Sequence, residues 1–501
     1  MTVDEILAAA QLEKAVPPAL RGLPVAGLDY DSRRVREGFL FFAFAGEHAD
    51  GRQYARQALE RGAIAVVSEL PPPAGFPGAW IMAGRGRRAL ALASRAFYFG
   101  GRPLPLLCGI TGTNGKTTTS YVLDSILRAA GYTTALAGTI GYHVAGKTTA
   151  AVNTTPESLD LYRILDELRA RGGRHATMEV SSHALALGRV YGVPFHTAVF
   201  TNFTRDHLDF HKTMEAYFAA KQFLFEGNGA APPRWAVLNA DDEGARRLRI
   251  APETRILWYA ISADAAPGRG ELLRARDIEA GFGGLRFQVE TGGSAFPVSS
   301  PLCGEINVYN VLAACGAALS IGIAPEAIAR GAAACRSVPG RFERVEAGQP
   351  FLVVVDYAHT DDALRNAIRV ARSLSPRRVI TLFGCGGDRD RDKRPLMAMA
   401  AASLSDFVVL TSDNPRSEDP LAIITDAMVG LGRYDTPHLV EPDRERAIRR
   451  ALEEAGEGDI VLLAGKGHET YQILKDRTIH FDDREAAARI LREFGYRRGG
   501  A

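Results

Sequence analysis

Residues 109–120 read GITGTNGKTTTS, a run in which glycines, a lysine and threonines fall where a nucleotide phosphate is commonly held. An apolar strand, LPLLCGIT, leads in and a helix from Lys116 to Ala130 leads out, so the backbone N–H groups of the turn can aim at an anion. Gly112 and Gly115 flank Thr113 and Asn114 and allow the positive φ values such a turn needs. Lys116 can reach the terminal phosphates, and Thr117, with Thr118 beside it, can offer a hydroxyl to Mg2+. The usual spacing G-x-x-x-x-G-K-[ST] asks for glycine at position 110, where this chain has Ile110. That offset changes the shape of the loop and leaves its chemistry in place.

A magnesium site needs more oxygen than one hydroxyl. Glu179 ends the buried strand of MEVSSH, where a carboxylate without a partner is costly, so a cation explains it. His207, in TNFTRDHLDFH, follows the next strand of the same set. Lys221 lies on the largely apolar stretch AYFAAKQFLF, where the residues alone read as a snorkelling surface lysine.

The elements that must position these groups alternate. HATMEVSS, HTAVFTNF and RWAVLNADD are apolar strands ending in polar residues, which predicts a parallel sheet with helices on both faces and ligands at the carboxyl ends. The first hundred residues carry short strands such as GFLFFAFAG and GAIAVVSE and close on the Gly/Pro stretch YFGGRPLP. After Pro339-Gly340 the alternation restarts with FLVVVDYAHT, RRVITLFGCGGDRD, DFVVLTSDNPR and DIVLLAGKGHE. The expected class is α/β in three domains: a small N-terminal α/β domain (1–100), a central parallel-sheet domain of the P-loop ATPase type (101–336) and a C-terminal Rossmann-like domain (337–501).

With 501 residues, several cores are needed. The 46% hydrophobic and 24% charged content is that of a globular protein, and a net charge of +2 gives no bulk reason to expect nucleic acid or an anionic membrane as partner. The N-terminus lacks the apolar core of a signal peptide, and no apolar run is long enough to span a bilayer. Five scattered cysteines suit a reducing cytoplasm. Four read as small buried hydrophobes; Cys385, in a glycine-rich turn, stands apart. A monomer is expected.

The series GTNGKTTT, NTTPES, EVSSHALALGRV, TNFTRDHLDFH, AYFAAKQFLF, GEINVYNVLAA, PGRFE, DYAHT, GCGGDRDRDKRPLM, SDNPRSEDP and GKGHE resembles the Mur ligases of peptidoglycan synthesis, with a weaker echo at DSRRV. The resemblance implies ATP-dependent amide ligation. A substrate carboxylate attacks the γ-phosphate, and an amine displaces phosphate from the acyl phosphate. Attack of one anion on another needs the neutralising charge of Lys116, Mg2+ and the loop amides.

It also implies roles. Gly112, Thr113, Asn114, Gly115, Lys116, Thr117 and Thr118 would hold the ATP phosphates. Thr117 and Glu179 would bind one Mg2+, and His207 a second. Asn307 would meet the adenine, and Arg341 and Asp356 would approach the nucleotide from the third domain. Asn153, Thr154, Thr155, Ser181 and Arg189 would contact UDP-MurNAc-L-Ala-D-Glu, with Ser32 at the uridine and further contacts in GEHADG. Lys221 would be carbamylated by CO2, because a lysine beside metal ions loses its proton readily and, as a carbamate, becomes an anionic metal ligand.

The incoming amine is marked by DNPR, residues 413–416. Within the family, arginine at its fourth position goes with meso-diaminopimelate. That amino acid has a distal carboxylate that a guanidinium fork can grip, and lysine has none. Arg389, Asp413, Asn414, Pro415, Arg416, Gly465 and Glu469 would form this pocket, with Glu469 matching an ammonium. The family's proline after DYAHT is replaced by Asp361, which is expected to loosen that turn. The alternatives are a lysine-adding or other Mur or folylpolyglutamate-type ligase and, in another class, a P-loop switch using ATP for conformational change alone.

Overall fold

The computed structural model describes residues 1–46, 50–265 and 268–497. The middle of the GEHADG stretch, 47–49, lies outside them. Two compact units form: Met1–Arg274 with Val289–Phe296 and Tyr309–Ala332, and Ala275–Gln288 with Pro297–Val308 and the residues from Ala333 onward.

In the first unit the N-terminal strands β1 (Gly27–Asp29), β2 (Phe39–Ala43), β3 (Ala63–Ser68) and β4 (Trp80–Met82) form a parallel sheet in that order. Strand alternation serves two cores. Leu40, Phe42, Ala65 and Val67 face helices Val3–Leu7 and Gly86–Phe99, while Phe41, Ala43 and Val66 pack on Val35, Ala55 and Ala58.

The larger sheet contains β5 (Leu106–Thr111), β6 (Thr134–Ala137), β7 (Tyr142–Val144), β8 (Lys147–Thr149), β9 (His175–Glu179), β10 (Thr197–Phe200), β11 (Trp235–Asn239) and β12 (Arg255–Ala260), continued by β13 (Glu271–Gly281), β14 (Gly284–Thr291) and β15 (Ser294–Ser300). Its order is β15-β14-β13-β12-β11-β10-β5-β9-β6-β7-β8. β5 lies between β9 and β10 with both neighbours parallel, so the three loops leaving their carboxyl ends meet. β7 and β8 run antiparallel at one edge. The expected all-parallel sheet is therefore mixed. β13–β15 were not anticipated, and the division between the two units passes through them.

In the second unit β16 (Glu343–Val345), β17 (Leu352–Asp356), β18 (Val379–Cys385), β19 (Phe407–Ser412), β20 (His438–Val440) and β21 (Ile460–Ala464) form a sheet of order β16-β17-β21-β18-β19-β20, parallel except at the β16 edge. Helices cover both faces, which is why its strands read as unbroken apolar runs. A hairpin of β22 (Tyr471–Ile473) and β23 (Thr478–His480) follows.

Two expectations change here. Asp361 does not loosen its turn. It opens helix Asp361–Ser373, where Thr360 Oγ1 caps the N–H of Ala363 at 3.2 Å and an acid suits the positive end of the helix. Cys385 is no exception among the cysteines: all five are buried, and none is in a disulfide among the described residues. Burial pushes the Cys385 thiol up to about 12. No helix among the described residues is long and apolar enough to cross a membrane.

Candidate active site

The phosphate loop leaves β5 and enters helix Lys116–Ala129. Gly112 (φ +146°) and Gly115 (φ +88°) take the conformations expected of them. A side chain at Gly112 would also overlap Thr201 Oγ1, and one at Gly115 would overlap Asn310 Oδ1. The loop is held from the β10 side. Thr113 N–H donates to Asn202 O at 2.9 Å, Asn114 N–H to Asn202 Oδ1 at 2.9 Å, and Thr201 Oγ1 donates to Asn114 O at 2.6 Å. Thr113 Oγ1 contacts Thr204 O at 3.1 Å and the Tyr217 hydroxyl at 3.2 Å. Lys116 Nζ folds over the loop onto the carbonyls of Gly112 (2.9 Å) and Thr113 (2.8 Å), placing its charge where phosphate oxygens would sit.

Glu179 ends β9 beside this loop and is 1% exposed. It is not the partnerless carboxylate the sequence suggests. Thr117 Oγ1 donates to its Oε2 at 2.9 Å, Thr139 N–H to its Oε1 at 2.8 Å, and Thr139 Oγ1 to its Oε2 at 3.2 Å. Sequence reasoning missed Thr139; its signal is the Gly138-Thr139 turn closing β6, where any side chain at Gly138 would strike Glu179. The paired hydroxyl and carboxylate of Thr117 and Glu179 are hard oxygen donors of the kind Mg2+ takes together with substrate phosphates. Among the described residues no three His, Cys, Asp or Glu side chains gather as a metal cage on their own.

Lys221 sits on helix Met214–Glu226 and is 1% exposed, so it does not snorkel. Its Nζ donates to Gly112 O at 2.7 Å and lies 4.5 Å from the centre of the Tyr217 ring. Burial, reinforced by the charge of Lys116, pulls its pKa well below the ordinary lysine value. A neutral amine is the form that captures CO2. His207 has φ +53° beside Asp206, in a cluster with His183 (ring centres 4.8 Å apart) and Tyr217 (5.9 Å). Burial, with the charges of His183, Lys116 and Lys221, lowers it to about 4 against the pull of Asp206. Its imidazole is neutral at pH 7 and keeps a lone pair.

On the far side of Glu179 lies the loop carrying Asn153, Thr154 and Thr155. Thr155 Oγ1 donates to Glu179 O at 2.9 Å and accepts from Ser181 N–H at 2.9 Å. Thr154 Oγ1 is 3.1 Å from Thr139 Oγ1, and Asn153 O accepts from the Tyr142 hydroxyl at 2.7 Å. Ser181 caps helix Ser182–Leu187. Arg189 reaches Glu157 at 3.0 Å and Thr155 O at 3.3 Å. Ser32 stands apart, opening the short helical turn Ser32–Arg34 after β1, with its hydroxyl on Gln57 Oε1 at 2.6 Å.

The remaining predicted residues belong to the second unit. Asn307 donates to Cys303 O at 2.7 Å. Arg341 lies over the Tyr357 ring at 5.4 Å, and Asp356 accepts from Phe342 N–H at 2.8 Å. Burial raises Asp356, with Arg341 opposing. The turns after β19 and β21 lock together. Asn414 Nδ2 donates to Glu469 Oε2 at 2.9 Å, and a side chain at Gly465 would lie 2.7 Å from Asp413 Oδ2. Glu469 already has an internal ammonium, the buried Lys466, at 3.1 Å. The expectation that Glu469 awaits an ammonium had missed this partner. Arg416 (φ +52°) follows Pro415 and donates to Gly387 O at 2.7 Å. Arg389 and Arg416 both flank Gly386. Among the described residues neither makes an ion pair, whereas neighbouring Arg391 and Arg394 are both bound to Glu418.

Family models described as Mur ligase middle domain, Mur ligase glutamate ligase domain and Mur ligase family catalytic domain match residues 110–318, 340–467 and 24–82. A UDP-N-acetylmuramoyl-L-alanyl-D-glutamate–2,6-diaminopimelate ligase of Solibacter usitatus (strain Ellin6076) is 63% identical over 498 residues, 99% of each chain. The chain belongs to the Mur ligase family. Among solved Mur ligases, a structure of a ligase with that same name aligns at TM-score 0.70 and 33% identity over 99% of both chains. A MurF ligase from Thermotoga maritima in complex with ADP shares the fold at TM-score 0.60 and 19% identity, covering 89% of this chain and 95% of that one.

Proposed function

We propose that this Mur ligase joins meso-diaminopimelate to UDP-MurNAc-L-Ala-D-Glu with ATP, in peptidoglycan synthesis. The relative of 63% identity carries that name, without the stereochemical prefix, over its whole length. Three domains, 1–100, 101–336 and 337–501, would take the UDP-substrate, the nucleotide and the amino acid, with Ser32 serving the uridine. The enzyme is proposed to be a cytoplasmic monomer.

The loop amides of residues 112–118 and Lys116 hold the γ-phosphoryl group against the D-Glu carboxylate, which Thr155, Ser181 and Arg189 orient with Asn153 and Thr154. Mg2+, bound at Thr117 and Glu179 with a second ion toward His207, would neutralise charge on the transferring phosphoryl group. Neutral Lys221 takes up CO2, releases a proton and becomes a carbamate. Asn307, Arg341 and Asp356 would contact the nucleotide. The amine then attacks the acyl phosphate, and phosphate leaves.

The observation that carries the choice of amine is the pair Arg389 and Arg416, which flank Gly386 and, among the described residues, form no ion pair at salt-bridge distance. A distal carboxylate supplies what they lack. Incubating the enzyme with ATP, UDP-MurNAc-L-Ala-D-Glu and either meso-diaminopimelate or L-lysine decides it. Product with diaminopimelate alone is expected, and equal use of lysine overturns the reading.

A further inference from the structure

Beneath the two turns that would hold the amino acid lies a buried ion pair. Arg444 and Asp483 are both 0% exposed, and they meet through two parallel hydrogen bonds, Nε to Oδ1 at 2.8 Å and Nη2 to Oδ2 at 2.7 Å. The guanidinium also donates to Ser412 O at 3.1 Å and Ala464 O at 3.0 Å. These carbonyls close β19 and β21, immediately before Asp413 and Gly465.

The sheet does not itself fix the distance between those ends. β18 lies between β19 and β21. Its pairing with β19 runs to Cys385↔Ser412, but its pairing with β21 stops at Leu382↔Leu463. β21 itself ends one residue later, at Ala464, and the guanidinium ties that carbonyl directly to Ser412 O at the end of β19. Burial opposes the charge of Arg444, and Asp483 outweighs it, with Asp413 and Glu469 pulling the same way.

We propose that Arg444, oriented by Asp483, is a positioning residue that sets the spacing between the 413–416 turn and the 465–469 turn, and through it the affinity for the incoming amino acid. This rests on the reading of those turns as the amino-acid pocket. Arg444 touches no substrate; it acts through the two carbonyls.

The test is steady-state kinetics of the full enzyme with each of its three substrates varied. A double variant, Arg444→Met with Asp483→Leu, removes the bridge. Swapping a buried ion pair for apolar residues of similar volume often leaves stability intact. It should fold and melt near the wild type while the KM for diaminopimelate rises roughly tenfold or more, since a 1 Å misplacement can cost about a hundredfold. The KM values for ATP and the UDP-substrate should move far less. Arg444→Lys keeps the charge without the planar fork and should fall between; if the double variant does not fold, this one decides. An unchanged KM for diaminopimelate in a folded variant, or equal shifts for all three substrates, overturns the proposal. Arg416→Ala is run alongside. If it raises that KM and the Arg444 variants do not, only the positioning role fails. If it does not, the pocket reading fails and takes this inference with it.

Discussion

The side-chain nitrogen of Lys221 donates to the carbonyl of Gly112 at 2.7 Å, so a buried side chain from helix Met214–Glu226 reaches the backbone of the phosphate loop more than a hundred residues earlier. The residue proposed to become a carbamate therefore already stands at the phosphate loop.

Lys221→Ala should lose activity by about two to three orders of magnitude in kcat, the scale of removing one preorganised group that stabilises developing charge. Lys221→Glu restores a carboxylate near the same place and should retain a measurable fraction. Initial rates of phosphate release check both, and near-normal activity in Lys221→Ala would refute the assignment.

Thr155→Val removes the hydroxyl that bonds Glu179 O and Ser181 N–H. Two buried backbone groups lose their partner, so urea unfolding should show a loss of about 1–3 kcal/mol. The KM values for ATP and for UDP-MurNAc-L-Ala-D-Glu should both rise, because the peptide that Thr155 holds carries the Glu179 side chain. A shift confined to one substrate would separate the two pockets.

Arg416→Ala should raise the KM for diaminopimelate about ten- to a hundredfold, the worth of roughly 1.5–3 kcal/mol for hydrogen bonds to a charged group. The KM for ATP should stay near its original value. Equal effects on both would argue against a carboxylate-binding role.

Glu418 shapes the acid limb of stability. Hydrogen bonds from Arg394 first, then the backbone of Asp388, with Arg394 and Arg391 adding charge, hold it at about 2 against an ordinary 4.5. The folded state keeps this proton off more strongly than the unfolded chain does. Its contribution is thus present above about 4.5 and is lost as pH falls from there toward about 2. Glu418→Gln should flatten the melting temperature against pH across that window. An unchanged slope would mean that the pairing adds nothing.

Much of this site is legible in the chain because phosphate chemistry is local. Strand, glycine turn, lysine and helix follow one another within residues 106–129, and polar residues at strand ends must converge once the strands are parallel. Lys221 is the opposite case. An amphipathic side chain on an apolar helix reads as surface, and only its contact with Gly112 shows that it is buried. Glu179 stands out in the sequence as an acid ending an apolar strand, but its partner Thr139 does not, since nothing local says which turn will meet it. Lys466 escaped for a related reason: a lysine three residues before a glutamate looks like an ordinary turn until its burial is known. The β13–β15 ribbon alternates polar and apolar positions between long parallel segments, and the dominant α/β rhythm hid it.

The residues proposed for the donor and for the amine hang on different sheets, and this separation has an evolutionary reading. In the first unit the residue Glu179 is held by Thr117 through its side chain and by Thr155 through its carbonyl, so a mutation there would be felt by both proposed ligands, nucleotide and acyl donor, at once. The turns after β19 and β21 answer to a separate core. On the proposed roles, a lineage would exchange the amino acid built into its wall by rewriting a few residues such as Arg416 without disturbing the phosphate loop.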